Sequence, residues 1–182
     1  MTQDKRFDPL PTDQWPEEIA DLAEGFAGRH NVNLAMAHHP GLLRGWAGLR
    51  EHIINNNALG RERAEVVVLR LAHRLRANYE WSHHVLRGRA QGLDDLRIRK
   101  IRGPVREMQE SDALYAGAVD ELMDNSELSD ATREALVREV GVEGVLDLIA
   151  SVGFFSTLAH MVKSFGTPLD ENVAKGLADQ PL

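Results

Sequence analysis

The chain has 182 residues, of which 43% are apolar and 27% are charged, and its 21 basic and 28 acidic side chains give a net charge of −7. This balance is typical of a globular protein with one sizeable core, so we expect a single domain over residues 1–182. The negative charge disfavours binding to nucleic acid or anionic membranes, and the lack of cysteine excludes disulfides, thiolate metal sites and thiol redox catalysis.

The N-terminal stretch MTQDKRFDPLPTDQWP contains no apolar run of the signal-peptide type, and we expect a cytoplasmic protein. Pro16 followed by two acidic residues predicts the start of a helix, because proline lacks the N–H that a first turn leaves unpaired and acids favour the helix dipole. Pro40 predicts the start of another helix. Its apolar residues at helical spacing are Leu42, Trp46, Leu49 and Ile53.

The segment RERAEVVVLRLAHRLRA, residues 61–77, predicts a long helix despite its three consecutive valines, since it carries no turn residue. The next helix, in EWSHHVLRGRAQ, ends before Gly92, and residues 111–124 predict a helix capped by Ser111 or Asp112. Gly141 separates a helix over 128–140 from an apolar one that ends near Gly166. No long segment alternates with period 2, so the predicted fold class is all-α, with about eight helices.

The most apolar stretch, LIASVGFFSTLAHMV, spans residues 148–162. Fifteen residues that include serine, threonine and histidine are too few and too polar to cross a bilayer, so we expect a buried core helix and no membrane partner. Within it, His160 is expected to be a hydrogen-bonded core histidine.

A cluster of titratable side chains lies in RANYEWSHHV, residues 76–85. Glu80 and His84 are four residues apart and therefore share a helix face, which is the spacing of an acid–base pair and equally of a surface helix pair. His83 points about 100° away from His84, as expected for a solvated or capping side chain. A metal site through Glu80 and His84 is a third interpretation, although the chain offers no second ExxH element and no HExxH.

Glu65 is a further candidate, since it lies among apolar residues in AEVVVLRLA and a carboxylate there is costly to bury without a partner. Arg76 falls on the same predicted helix face. The chain has no glycine-rich nucleotide motif and no GxSxG nucleophile motif, so the histidine–carboxylate cluster is its main chemical feature.

The stretch RERAEVVVLRLAHRLRANYEWSHHVLRGRAQGL, residues 61–93, resembles the carboxymuconolactone decarboxylase family. The decarboxylase branch of that family carries an EWxxH element, here Glu80, Trp81 and His84, followed by an A-x-x-x-G-like turn, here residues 89–92. The resemblance extends to MAHHPGLLRGW before this stretch and to LSDATREAL and FGTPLDENV after it, so the family-like core covers about residues 30–172.

The peroxidase branch of the same family, alkylhydroperoxidase D, carries a CxxCxxxH motif and a glutamate one helix earlier. On this sequence the two cysteine positions are Ala77 and Glu80, the histidine is His84 and the glutamate is Glu65. Because both sulfurs are missing, the resemblance carries over the relay residues and not the peroxidase activity.

The resemblance implies an AhpD-like helical bundle that bears the motif on a central helical hairpin and assembles as a homo-oligomer, from dimer to hexamer. It also implies a lyase that needs no cofactor and no metal, and whose partner is a small carboxylated or lactone substrate, as in the decarboxylation of 4-carboxymuconolactone in aromatic catabolism. Isomerisation, lactone hydrolysis and dehydration remain open alternatives.

In this interpretation His84 transfers the proton, Glu80 sets its charge and orientation, and Glu65 is the second carboxylate of the relay. The expected substrate-binding residues are Arg76, Tyr79, Trp81 and His83. The competing hypothesis is a helical protein without catalytic activity that binds a small ligand or only oligomerises.

Overall fold

The computed structural model describes residues 5–182, and this range is 75% helical and contains no strand, which confirms the all-α prediction. Short 3₁₀ turns connect the helices, and a π-helix occupies His52–Asn56. The α-helices are α1 (Glu17–Ala20), α2 (Asn31–Met36), α3 (Pro40–Glu51), α4 (Arg61–Leu75), α5 (Asn78–Ala90), α6 (Asp95–Lys100), α7 (Glu110–Asn125), α8 (Asp130–Phe165) and α9 (Glu171–Asp179).

Helix α4 lies at the centre of the fold and packs against α5, α7 and α8. Its residues 66–72 are all buried, so the helix is enclosed around its whole circumference rather than on one stripe. The three valines of this run are 3% exposed or less. They are helical, as predicted. Burial of their side chains stabilises the helix by more than the low helix propensity of valine destabilises it.

Helices α4 and α5 form a tight helical hairpin. Arg76 ends α4 in the left-handed conformation, with φ 51° and ψ 42°, and the backbone N–H groups of Arg76 and Ala77 donate to the carbonyls of His73 and Ala72. Asn78 then begins α5. The hairpin therefore places Glu65 of α4 opposite His84 of α5, and the motif lies on a central hairpin as expected.

Helix α8 contains the apolar stretch and is long and apolar enough to cross a membrane by length and composition alone. Of its apolar window, 56% is buried within the fold, and Gly141 interrupts the helix with φ 68° and ψ 178°. Leu148, Val152 and Phe155 contribute to the hydrophobic core. These features are those of a core helix, in agreement with the interpretation of the sequence.

Several local predictions are wrong. On α3, Leu42 and Leu49 are exposed and Leu43 is buried, because the face that packs against the core is rotated from the predicted one. Helix α7 begins at Glu110, and Asp112 is buried against Arg97 instead of capping the helix. His160 is exposed, since its side of α8 faces away from the core.

We predict opposite effects for two glycine substitutions in α8. Gly141→Ala places a Cβ in the left-handed region and is expected to lower the free energy of unfolding by about 1–2 kcal/mol. Gly153→Ala, at an ordinary helical position with open space around the added Cβ, is expected to raise it by about 0.5–1 kcal/mol. Urea unfolding of both variants measures the difference, and equal effects would show that the break at Gly141 is absent in solution.

Candidate active site

Glu65 and His84 form a hydrogen-bonded pair across the hairpin. The Nδ1 atom of His84 lies 2.6 Å from Oε2 of Glu65, and His84 is 3% exposed. The imidazole packs edge-on against the ring of Phe155, with the ring centroids 4.8 Å apart. The glutamate therefore fixes the position of one imidazole nitrogen, and the contact with Phe155 fixes the orientation of the ring plane.

The charge of this imidazole follows from its surroundings. Burial lowers the pKa of His84, and this effect outweighs the opposing influence of the Glu65 carboxylate. A neutral imidazole has one N–H, and the carboxylate requires it on Nδ1, which leaves Nε2 with a lone pair. Nε2 has no hydrogen-bond partner within residues 5–182. His84 is thus arranged as a base that is ready at neutral pH.

Glu80 does not form the pair with His84 that the i,i+4 spacing predicted. Its side chain is 3% exposed, and neither carboxylate oxygen has a hydrogen-bond partner within the described residues. Burial raises the pKa of Glu80 to about 7, although the positive charge of Lys163 opposes the shift. The prediction failed because Glu65, on the neighbouring helix, occupies the position at Nδ1 that Glu80 was expected to fill.

The Glu65–His84 pair borders a cavity of about 270 Å³. Arg61 and Arg87 line the same cavity, and neither guanidinium forms an ion pair within the described part of the chain. The lining also includes two atoms that are buried without a partner, the hydroxyl oxygen of Ser151 and the side-chain oxygen of Asn57. Two unpaired cations and a hydroxyl that can donate suit a small anionic molecule, whereas the Asn57 oxygen can only accept a hydrogen bond from a donor.

His83 is not solvated, contrary to the sequence interpretation. It is 7% exposed, its Nδ1 lies 2.8 Å from the carbonyl oxygen of Tyr79, and its Nε2 lies 2.7 Å from Oδ2 of Asp170. Tyr79 stacks on the His83 ring and donates its hydroxyl to the same carboxylate oxygen of Asp170, and Nδ1 of His30 also lies 2.7 Å from that oxygen. Sequence reasoning missed His30 and Asp170, because they lie far from the motif along the chain.

Arg76 and Trp81 lie away from the Glu65–His84 cavity. Arg76 is exposed at the end of α4, where the left-handed turn takes it off the helix face that carries Glu65. Trp81 is buried, with the guanidinium of Arg102 stacked 3.8 Å from its ring centroid. Both residues line a different cavity together with His73. Arg76 and Trp81 therefore do not line the cavity beside His84, and a substrate-binding role for them stays a prediction.

The arrangement of helices matches solved structures over nearly the whole chain. A peroxidase-related protein with an alkylhydroperoxidase AhpD core from Ralstonia eutropha is 18% identical, with a TM-score of 0.73 and coverage of 92% of this chain and 94% of that chain. A peroxidase-related protein from a Silicibacter species is 17% identical, with a TM-score of 0.74 and coverage of 95% and 97%. The chain has the AhpD-like fold.

A third solved structure with this fold is a cysteine-to-alanine variant of the debrominase Bmp8 in complex with 2,3,4-tribromopyrrole. It is 17% identical, with a TM-score of 0.72 and coverage of 95% of this chain and 96% of that chain. No protein-family model and no curated protein sequence matches the chain. At these identities the likeness establishes the AhpD-like fold, and the chemistry has to be argued from the side chains.

We predict that Glu80→Gln stabilises the protein at pH 8 and not at pH 4. A carboxyl whose pKa is raised on folding, here from 4.5 to about 7, binds its proton more tightly in the folded state. The carboxyl therefore does not destabilise the fold at a pH below its pKa in the unfolded chain. The destabilisation grows as the pH rises between the two pKa values, and it is complete above the pKa in the folded state. A shift of this size corresponds to about 3 kcal/mol.

Urea unfolding of Glu80→Gln and wild type at pH 4 and pH 8 tests this prediction. Glu134→Gln serves as the control, since Glu134 is exposed to solvent. A stability difference that is the same at both pH values would show that Glu80 is not a buried acid with a raised pKa.

Proposed function

We propose that the chain is an acid–base enzyme of the carboxymuconolactone decarboxylase family that acts, without a cofactor, on a small carboxylated substrate of the lactone type. The observation that carries the proposal is the Glu65–His84 hydrogen bond at the edge of a cavity that also contains two unpaired guanidiniums. A fixed imidazole with a free Nε2 supplies the proton transfer, and the guanidiniums supply recognition of an anion.

Arg61 and Arg87 take the anchoring role that sequence reasoning gave to Arg76. A guanidinium presents parallel N–H donors that match a carboxylate, and neither Arg61 nor Arg87 is committed to an acidic partner within residues 5–182. The anchored carboxylate is one that the reaction retains. Pairing with a cation stabilises its charge, and this stabilisation would be lost if the same group departed as neutral CO₂.

His84 moves the proton in either of the two reactions that fit this site. In an isomerisation, Nε2 removes a proton from the carbon next to the lactone carbonyl and returns it at the conjugated position. In a decarboxylation, the bond to a second carboxylate breaks with release of CO₂, and its electron pair enters the conjugated carbonyl as an enolate. An imidazolium formed by uptake of a proton from water then protonates the carbon, and the hydroxide left behind combines with the CO₂ as hydrogencarbonate. Glu65 stabilises the imidazolium in both cases.

The enolate oxygen also needs a hydrogen-bond donor. The Ser151 hydroxyl is buried at the cavity wall and has no partner within the described residues, so it is free to donate to that oxygen. Glu80, which has a pKa near 7, lines a second cavity together with His84 and is available there as a reserve of protons. These roles replace the expected direct contact between Glu80 and His84.

Peroxidase or thiol-dependent dehalogenase activity is disfavoured, although proteins with the same fold are peroxidase-related or a debrominase. The positions expected for the two sulfurs of the peroxidase motif are Ala77 and Glu80, and the chain has no cysteine. Neither alanine nor glutamate supplies a sulfur that can be oxidised and reduced. The relay residues therefore serve proton transfer alone.

Self-association, a cytoplasmic location and the lack of nucleic-acid partners remain predictions. The surface feature that suits self-association is a row of exposed apolar side chains on α8, formed by Val142, Leu146 and Ile149 at helical spacing. A protein that binds a small ligand without turnover is the second candidate function, since the same cavity and the same guanidiniums suit both.

We predict that His84→Ala and Glu65→Gln each lower the turnover of 4-carboxymuconolactone by about 100-fold or more, because both remove the oriented proton carrier. The ultraviolet absorbance of the lactone follows the reaction. His160→Ala is the matched control, since this exposed histidine lies away from the cavity, and it is expected to keep wild-type turnover.

Failure of the wild type to turn over this lactone would remove decarboxylation of that compound from the proposal. A panel of carboxylated lactones, followed by proton exchange at carbon in deuterated water, then tests isomerisation. If no compound exchanges a proton but one raises the melting temperature, the chain is the ligand-binding protein of the second candidate.

We predict that Arg87→Met raises the KM for a carboxylated substrate by about 10- to 100-fold, since a hydrogen bond to a charged group contributes about 1.5–3 kcal/mol. The effect is expected to disappear for the matching amide, which carries no charge. Arg99→Met, on the exposed side of α6, is the control. A KM that rises equally for the acid and the amide would show that Arg87 shapes the cavity without recognising the charge.

A further inference from the structure

Three potential metal ligands converge at a place outside the Glu65–His84 cavity. They are Nδ1 of His30, Nε2 of His83 and a carboxylate oxygen of Asp170, and all three atoms lie within 4.8 Å of one another. Both nitrogens lie 2.7 Å from Oδ2 of Asp170. His83 and Asp170 are buried, and His30 is partly buried. The set joins the loop before α2, the middle of α5 and the residue that precedes α9.

Both ring nitrogens of His83 face oxygen atoms. Its Nδ1 faces the carbonyl oxygen of Tyr79 and its Nε2 faces the Asp170 carboxylate, and both of these oxygens only accept. A neutral imidazole donates from one nitrogen, so the second contact needs either an additional proton or a bound cation. In metal sites, a backbone carbonyl commonly accepts a hydrogen bond from one ring nitrogen of a histidine, and this contact directs the other nitrogen to the metal.

The remaining contacts of Asp170 hold it in place in the same way. The backbone N–H of Asn31 donates to its Oδ1 at 2.8 Å, and the hydroxyl of Tyr79 donates to its Oδ2 at 3.1 Å. Ligands of metal ions are commonly oriented by such outer contacts. Among the described residues, this is the one group of three or more candidate ligands.

An independent observation comes from the cavity beside the cluster. This cavity is lined by His30 and His83, and also by Glu80 and Asn33. Glu80 is 3% exposed with both carboxylate oxygens unpartnered, and Nδ2 of the buried Asn33 is likewise unpartnered within the described residues. An unpaired buried carboxylate on this wall is the group that a cation, or water bound to a cation, would satisfy.

We propose that His30, His83 and Asp170 bind a divalent transition-metal ion such as Zn²⁺ or Co²⁺, with its open coordination position facing the cavity that Glu80 lines. Two imidazole nitrogens and one carboxylate favour these ions over Mg²⁺ and Ca²⁺, which prefer oxygen ligands. Three protein ligands leave a position for water. The ion lies outside the cavity in which Glu65 and His84 perform the proposed proton transfer, and its own cavity borders His84 from a neighbouring position.

Binding requires a small rearrangement of the ligands. Atoms that surround Zn²⁺ tetrahedrally at about 2.0–2.1 Å lie about 3.3 Å from one another, so the two contacts of 2.7 Å must open by about half an ångström. Rotation of the His30 side chain can supply this movement, because His30 is partly exposed and begins a helix instead of lying within one.

Titration calorimetry of the chelator-treated full chain with Zn²⁺, and the visible absorbance of the chain with Co²⁺, test the proposal. We expect one ion per chain, a rise in melting temperature and a Co²⁺ spectrum with nitrogen and oxygen ligands. His30→Ala and Asp170→Asn are each expected to weaken binding at least tenfold. His30→Ala is the safer variant for folding, since its side chain is 17% exposed, and its melting curve without metal checks that it folds.

The matched control is His52→Ala. His52 and Asp147 form another histidine–carboxylate contact, at 2.6 Å, that no third ligand joins among the described residues, so this variant is expected to bind metal as the wild type does. Lack of binding by the wild type would overturn the proposal. Binding that persists in folded His30→Ala and Asp170→Asn would overturn it as well, since the ion would then lie elsewhere. Neither result depends on whether the chain turns over a lactone.

Discussion

The close packing of α4 against α5 is the constraint on which both the fold and the candidate site depend. Helix α4 is buried on all sides, and the two residues between the helices allow α5 to return directly along it. This return places His84 opposite Glu65 at hydrogen-bond distance, although the two residues are 19 positions apart in the chain. A wider turn or a less buried α4 would separate the pair.

The site contains two carboxylates whose surroundings give them different states. Glu65 is paired with an imidazole at the cavity wall, whereas Glu80 is buried without a partner within the described residues and has a pKa near 7. Burial also keeps His84 neutral, so its free nitrogen is basic where the cavity opens. The same low dielectric that makes Glu80 costly thus keeps the His84 ring unprotonated at neutral pH, which is the state that the proposed removal of a proton from carbon requires.

Helical periodicity and turn residues predicted the helices, the i,i+4 spacing singled out Glu80 and His84, and the family resemblance implied the central hairpin and the relay role of Glu65. Contacts between elements could not be predicted in this way. The i,i+4 rule paired Glu80 with His84, whereas the partner across the hairpin is Glu65. Arg76 was placed by extending α4 one residue beyond its end, and Asp170, 87 positions from His83, gave no local pattern.

The most direct test of the account is the protonation of the His84 ring, measured by nitrogen-15 NMR at neutral pH with His84→Ala for assignment. The account predicts a neutral ring that carries its proton on Nδ1, where Glu65 accepts it, and a free Nε2. A ring protonated on Nε2, or a ring in rapid exchange between the two forms, would contradict it, because Glu65 would then not orient the base.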